Sequence, residues 1–442
     1  METVLLYVLG IVIVAVGLAL SIGLHELGHL IPAKRFGVKV AQYMIGFGPT
    51  LFSRRKGETE YGFKLIPLGG YISMAGMYPP AKDGDGAART ASTGFFDTLV
   101  QDARDQSADT VEAGDEDRVF YKLPVHKRIV IMLGGPVMNL LIAIVLYTVV
   151  LCGFGVYQSS TTLGSVSECI ATDASQTECT AADPAAPAAA AGLKPGDRLV
   201  SIDGTPIESW DQASAIIREH PGDTIAFVVE RDGAQVTLDV TPLLTERPVV
   251  DANGTVVVDG DGNTVTSEVG FIGVGPASEK VQQPVTAVIP AVWDNTVAVG
   301  KIIVTLPQRL VQVAQAAFGG EERDPNGPIS VVGVGRLAGE ITSLDSAPIA
   351  DRAAGLIQML AALNVALFVF NLIPLLPLDG GHVAGAIWEA IRRRIAAIRG
   401  RPDPGPVDIA KLIPLTLAIV AVLALSSGLL IYADIVNPVT LG

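Results

Sequence analysis

The chain has 442 residues, 49% of them hydrophobic, and a formal net charge of −14. That acidity, with no basic stripe to offset it, excludes nucleic acid as a partner. The hydrophobic residues are gathered into long blocks, which excludes an ordinary soluble domain and reads as a polytopic α-helical membrane protein.

Leu5 to Leu24 carries no charge over 20 residues, enough helix to cross a hydrocarbon layer of about 30 Å. It has no basic leader and no small-residue cleavage site, so 1–31 reads as a first spanning helix and not as a signal peptide. At its far end stands "HELGH". A helix carries His25 and His29 on one face, four residues apart, so both imidazoles can reach one Zn²⁺. Glu26, between them, is placed to act as a general base. Ionisable groups at membrane depth are costly, and that cost marks them as functional. The bland alternative is a pair of interfacial histidines with Glu26 solvated at the membrane edge.

Residues 32–127 read as a cytoplasmic loop. From about 45 to 77 it alternates and turns like a β-hairpin around Arg55-Lys56-Gly57, with Tyr61, Phe63 and Leu65 in period two. Its apolar far half fits a membrane-associated hairpin that dips between helices, a small soluble sheet being the alternative. Phe63 and Leu65 are candidates for holding an unwound substrate by strand addition. Residues 81–118 hold ten acidic and four basic residues among small ones and are expected to be disordered.

A second spanning helix is expected over 128–157. It contains "GGPVMN", Gly134 to Asn139, and Cys152, read as a packing residue. An outer segment follows. Within 160–245, "GLKPGDRLVSIDG" opens a small mixed domain. Its elements are a strand ending at Ile202, a helix over Trp210–Glu219 and a hairpin about Arg231-Asp232-Gly233. Outside the membrane, Cys169 and Cys179 form a disulfide or remain two free thiols. Residues 246–283 read as a β-hairpin extension. There Asp259, Asp261 and Asn263 open like a calcium loop, but Thr264 and Gly270 stand where Gly and Glu are required, so the stretch reads as a turn. Within 284–349, residues 284–318 are apolar but hold Asp294, Lys301 and Arg309. Amphipathic helices on the outer surface are expected, with a fifth span as the alternative.

The third span, 350–380, ends in "NLIPLLPLDGGH". Pro374 and Pro377 should break the helix, and Gly380 and Gly381 let the backbone turn closely around an ion. Asp379 follows 26 uncharged residues at the inner end of a helix running in the same direction as the first. Depth and direction make it the candidate third ligand, with His382 as competitor three residues further on. A cytoplasmic loop (381–410), a fourth span (411–434) and a tail (435–442) complete the chain. Lys and Arg follow the first span, precede the second, fill the loop between the third and fourth, and are absent beside both termini. Both termini are therefore expected outside.

Together, "HELGH", "GGPVMN" and "NLIPLLPLDGG" resemble the site-two protease family, and residues 183–243 resemble a PDZ domain of bacterial envelope proteases. The resemblance implies a multi-pass protein of the bacterial inner (plasma) membrane. It implies an intramembrane zinc metalloendopeptidase, closest to the branch that cuts single-span anti-sigma factors already trimmed outside, in regulated intramembrane proteolysis. It implies Zn²⁺ on His25, His29 and Asp379, with Glu26 as general base. Asn371, Pro374 and Asn139 would hold the substrate backbone. Two other readings compete: a catalytically silent PDZ scaffold, and a membrane-anchored zinc peptidase for soluble peptides. An intact Glu26 argues against the first, and the depth of both zinc-site segments argues against the second.

Overall fold

The computed structural model describes residues 2–79, 95–170, 179, 183–249, 257, 264–320, 323, 324 and 327–440. The chain forms two bodies, Met1–Phe154 with Gln283–Gly442, and Gly155–Gln282. In the first, α1 (Glu2–Arg35) leads to β1 (Val40–Lys56) and β2 (Thr59–Met74). Then come α2 (Phe95–Asp109) and α3 (Val125–Thr148), the latter ending in a π-helical turn, Val149–Phe154. The second body contains β3 (Val156–Val166), α4 (Pro187–Ala190), β4 (Arg198–Ile202), β5 (Thr205–Pro206) and α5 (Trp210–Glu219). It continues with β6 (Ile225–Arg231), β7 (Ala234–Val240), β8 (Leu243–Pro248), β9 (Thr266–Phe271) and β10 (Val274–Val281). The first body resumes with α6 (Val288–Gly319), α7 (Val331–Ser343), α8 (Ile349–Asn371), α9 (Asp379–Ile398) and α10 (Ile413–Val436).

Among the described residues, five stretches are long and apolar enough to cross a membrane: Thr3–Arg35, Val125–Phe154, Val285–Gly319, Ile349–Asn371 and Ile409–Val436. Four spans are expected from the sequence. The extra one is α6, which stays apolar because its three charges are spread over 32 residues. Its first turns, Val288 and Val292, share a core cluster with Tyr147 near the end of α3. Its last turn meets the end of α10: Asn437 Nδ2 donates to the Ala316 carbonyl at 3.3 Å, and Phe318 stacks on Tyr432.

Three further expectations are corrected. The third span does not continue to residue 380: α8 stops at Asn371, and the proline-bearing stretch Leu372–Leu378 separates it from α9. Proline lacks the N–H a helix needs and disfavours helical backbone before it. The loop expected over 381–410 is largely the 20-residue helix α9. The insert expected to be disordered over 81–118 folds in its second half, while residues 80–94 lie outside the described residues. Its acids find partners beyond their own window. Lys39 pairs with Asp115 at 2.7 Å and Glu112 at 2.8 Å, and Arg118 pairs with Glu58 at 2.7 Å. The Ser107 and Thr110 hydroxyls accept from the N–H groups of Tyr78 and Gly76.

β1 and β2 pair antiparallel about Gly57, and the ribbon doubles back on itself. Gln42 to Ile45 pair with Ser73 to Gly70 in falling order, and also with Glu60 to Phe63 in rising order. Phe63 to Thr59 pair in turn with Phe52 to Lys56. The resulting order is 52–56, 59–63, 42–45, 70–73, so one outer edge is the end of β2.

The second body is a sheet in the order β10-β3-β4-β6-β7, with β5 on β4, plus a separate β8-β9 pair. Leu163, Leu199, Ile202, Phe227, Val229 and Ile272 form its core. The strand, helix and hairpin expected here are present, the helix α5 capped by Ser209 accepting the Gln212 N–H. Cys169 and Cys179 are disulfide-bonded. Asp259, Asp261 and Asn263 lie outside the described residues. Asp197, buried, accepts from Arg231 Nε and Nη2 at 2.7 Å each and from the Lys194 N–H at 2.8 Å. The guanidinium holds its carboxyl below the usual carboxylate range. A depressed carboxyl stabilises the fold above its unfolded pKa of about 4 and loses that contribution as pH falls through the folded value. Protease resistance of this body in the intact chain should therefore fall under acid conditions. Asp197→Asn should lower that resistance at neutral pH and flatten its pH dependence; an unchanged pH profile would contradict this.

Candidate active site

α1 and α3 approach until their backbones touch. A Cβ on Gly28 would collide with the Gly134 carbonyl, and one on Gly134 with the Gly28 carbonyl. This close contact brings the "HELGH" face of α1 against the "GGPVMN" stretch of α3. Higher along the same helix, Asn364 of α8, fully buried, donates from Nδ2 to Ser21 Oγ at 2.9 Å and to the Leu360 carbonyl at 2.8 Å, tying α8 to α1. The break after α8 then returns the chain so that Asp379, the first residue of α9, meets the histidines. Gly380 and Gly381 permit that return, since a Cβ on either would strike backbone atoms of the break.

Three donor atoms converge. His25 Nε2 and His29 Nε2 are 3.1 Å apart, and Asp379 Oδ2 lies 3.4 and 3.3 Å from them. Atoms bound tetrahedrally to Zn²⁺ at about 2.0–2.1 Å stand about 3.3 Å from one another. The three separations match that edge length. His29 Nδ1 donates to the Ile131 carbonyl at 2.7 Å, which leaves a lone pair on its Nε2 facing the cluster. Lone pairs of imidazole and carboxylate pointed at one another repel unless a cation lies between them. Two histidines and one carboxylate also leave a fourth position open, as a catalytic zinc site requires. Gly135 completes the cradle: a Cβ there would lie 2.7 Å from His25 Nε2 and closer still to His29 Nε2, in the space an ion would fill.

Asn139, 1% exposed, has Nδ2 3.2 Å from His25 Nδ1, while its Oδ1 has no partner among the described residues. Turning the amide, whose two ends have the same shape, lets Oδ1 accept from Nδ1–H and frees the Nε2 lone pair for the cluster. Glu26, largely buried, borders β2: a Cβ on Gly70 would sit 2.9 Å from Glu26 Cγ.

The remaining candidates fall elsewhere. His382 lines a small cavity with Arg128 and Phe120 and is not part of the donor cluster. Asn371 Nδ2 donates to the Leu367 carbonyl of its own helix at 3.0 Å. Pro374 lines an apolar cavity of about 240 Å³ with Trp388 and Leu415. Phe63 pairs on both sides, with Ile45 and with Phe52, so it offers no free edge to an added strand. A proline at Phe63 would break the sheet itself. The edge beside Glu26 is Gly70–Ser73. The sequence reading passed over Gly135, Gly70 and the Ile131 carbonyl. The doubled glycine in "GGPVMN" was a signal for the first, because paired small residues in a span mark close helix contact.

The pattern of peptidase family M50 matches residues 13–402. The zinc metalloprotease Rip1 of Mycobacterium tuberculosis is 34% identical over 447 residues, covering 99% of this chain and 100% of the relative. Metalloprotease MmpA of Caulobacter vibrioides is 31% identical over 388 residues, covering 85% of each. A putative zinc metalloprotease of Mesorhizobium japonicum is 31% identical over 389 residues, covering 85% of this chain and 88% of the relative. With a cluster able to hold a metal ion and helices apolar enough to cross a membrane, the chain belongs to peptidase family M50, the site-two proteases, and is a zinc metalloprotease of the membrane.

Proposed function

We propose that the protein cleaves a single-span membrane protein, an anti-sigma factor already trimmed outside, within its transmembrane segment, and so releases a cytoplasmic regulator. The observation that carries this reading is the convergence of His25, His29 and Asp379 among helices long and apolar enough to cross a membrane. His25, His29 and Asp379 would hold the zinc. The ion, when bound, supplies a Lewis acid for water and for the charge developing on the scissile carbonyl. Glu26 Oε takes the proton from the attacking water and returns it to the leaving amide nitrogen. Burial of Glu26 keeps competing solvent away from that proton. Asn139 orients His25, and the Ile131 carbonyl orients His29.

A substrate helix hides its amides in its own hydrogen bonds, so it must unwind first. We assign the unwound stretch to the free edge of β2 at Gly70–Ser73, by strand addition. Gly70→Ala would press a methyl on Glu26 and narrow this edge. Cleavage should fall about tenfold or more with zinc retained; an unaltered rate would refute a role for this edge.

Four helices span in this reading, with both termini outside the bacterial cell membrane, and α6 runs along the outer side. Support comes from α6 itself: one end meets the end of α3 and the other the end of α10, and in this topology both helices run outward. The second body is PDZ-like, with β10 at one end of its sheet.

The test is co-expression with a tagged single-span anti-sigma factor truncated on its outer side. Wild type should yield a cytoplasmic fragment whose new end lies inside the span, and Glu26→Gln should yield none. Equal processing by both would refute the proposal.

A further inference from the structure

The second half of α9 keeps an apolar face exposed. Its buried side, Ala386 and Glu389, packs on α3, where Glu389 Oε1 accepts from Arg128 Nη2 at 2.5 Å. Glu389 Oε2 also accepts the Val407 N–H at 3.0 Å, which locks the helix in rotation. On the opposite side Trp388, Ile391, Ile395 and Ile398 form a stripe at helical spacing, each 42–74% exposed. At 100° per residue, Arg392 flanks this stripe on one side and Arg394 on the other. Arg399 and Arg401 follow at its end. Arg392, Arg394, Arg399 and Arg401 form no ion pair with a described residue, whereas Arg393, turned toward the packed face, pairs with Glu389 at 3.1 Å.

The depth of this stripe follows from the helix it crosses. α9 begins at the donor cluster beside Gly135 and reaches Arg128 by Glu389. That is seven residues back along α3, about 10 Å nearer its basic first turn. The last turns of α9 therefore emerge where Lys122, Lys127 and Arg128 mark the inner boundary of the membrane. An apolar stripe bordered by cations, and carrying a tryptophan, is the form of a helix lying in an anionic membrane surface.

We propose that the second half of α9 is a docking surface for anionic phospholipid headgroups of the cytoplasmic leaflet. Ile391, Ile395 and Ile398 enter the acyl boundary, and Arg392, Arg394, Arg399 and Arg401 pair with headgroup phosphates. Asp379 opens the same helix, so the lipid surface and the metal site share one rigid element. The inference rests on the membrane placement proposed above, but not on the cleavage chemistry.

The test uses the full chain with Trp388 as sole tryptophan, the other two, Trp210 and Trp293, replaced by Phe. It is reconstituted in phosphatidylcholine vesicles carrying brominated phosphatidylglycerol or, at equal mole fraction, brominated phosphatidylcholine. The anionic quencher should quench Trp388 about twice as strongly. Replacing the four arginines by Gln should bring the two quenchers to parity with zinc content unchanged, and replacing them by Lys should keep the preference. Equal quenching in the starting protein, no quenching by either lipid, or a preference that survives the Gln variant would each overturn the proposal. Should the Gln variant lose its zinc, the comparison in the starting protein decides alone. Because neither readout involves peptide cleavage, failure here is distinguishable from failure of the protease reading.

Discussion

Gly135→Ala should empty the metal site while leaving all three donors in the chain. The added methyl would occupy the point toward which His25 Nε2 and His29 Nε2 are directed. It cannot be relieved by moving α3 away, because Gly28 and Gly134 already hold the two backbones in contact and the "HELGH" face would lose its partner. Relief by rotating the imidazoles would break the bond from His29 Nδ1 to the Ile131 carbonyl and the contact of His25 with Asn139. Zinc affinity should fall about 100-fold or more, and cleavage should be lost with it. Gly428→Ala is the control: nothing lies within 4 Å of a Cβ there, so zinc content and activity should not change. Metal analysis of the purified proteins reads the difference. A Gly135→Ala protein with a full complement of zinc would show that this cradle is not where the ion sits.

Glu26→Gln should do the reverse, keeping the metal and losing the chemistry. Glu26 is not among the three converging donors, and an amide of the same shape fits beside Gly70 and Ile22. The amide cannot accept a proton, so the rate should fall by about 10²–10⁴-fold with zinc content unchanged. A substrate that still binds but is not cut should be captured by this variant. Loss of zinc in Glu26→Gln would instead assign Glu26 to the ligand set, and the mechanism would need another base. The two variants together separate holding the metal from using it.

Much of the site was legible because its spacing is local or its setting is extreme. His25 and His29 announce themselves by helical periodicity, and Asp379 by ending a run of 26 uncharged residues. The parts that were not legible depend on contacts between distant segments. Nothing near Asn139 in sequence says that it meets His25, 114 residues away. Period-two alternation announced a hairpin, but could not say that β1 and β2 double into four rows, which moves the free edge from Phe63 to Gly70. Composition reads 81–118 as disordered because a stretch of acids and small residues has little apolar surface to bury. Lys39 and Glu58 lie outside that window, and with Arg118 they neutralise the turn. The prolines correctly marked a break after α8, yet the residues beyond it read as a loop, since the arginines of α9 mask its apolar stripe in any average over the segment.

The proposed cut falls within the membrane, at the depth of His25, His29 and Asp379. Mass spectrometry of both fragments tests it most directly, using the purified zinc-loaded protein and a trimmed single-span substrate reconstituted together in vesicles. One scissile bond is expected inside the apolar span, toward its cytoplasmic end, absent with Glu26→Gln. A cut in the soluble flank of the substrate, or equal turnover of a soluble peptide carrying the same flank, would contradict it.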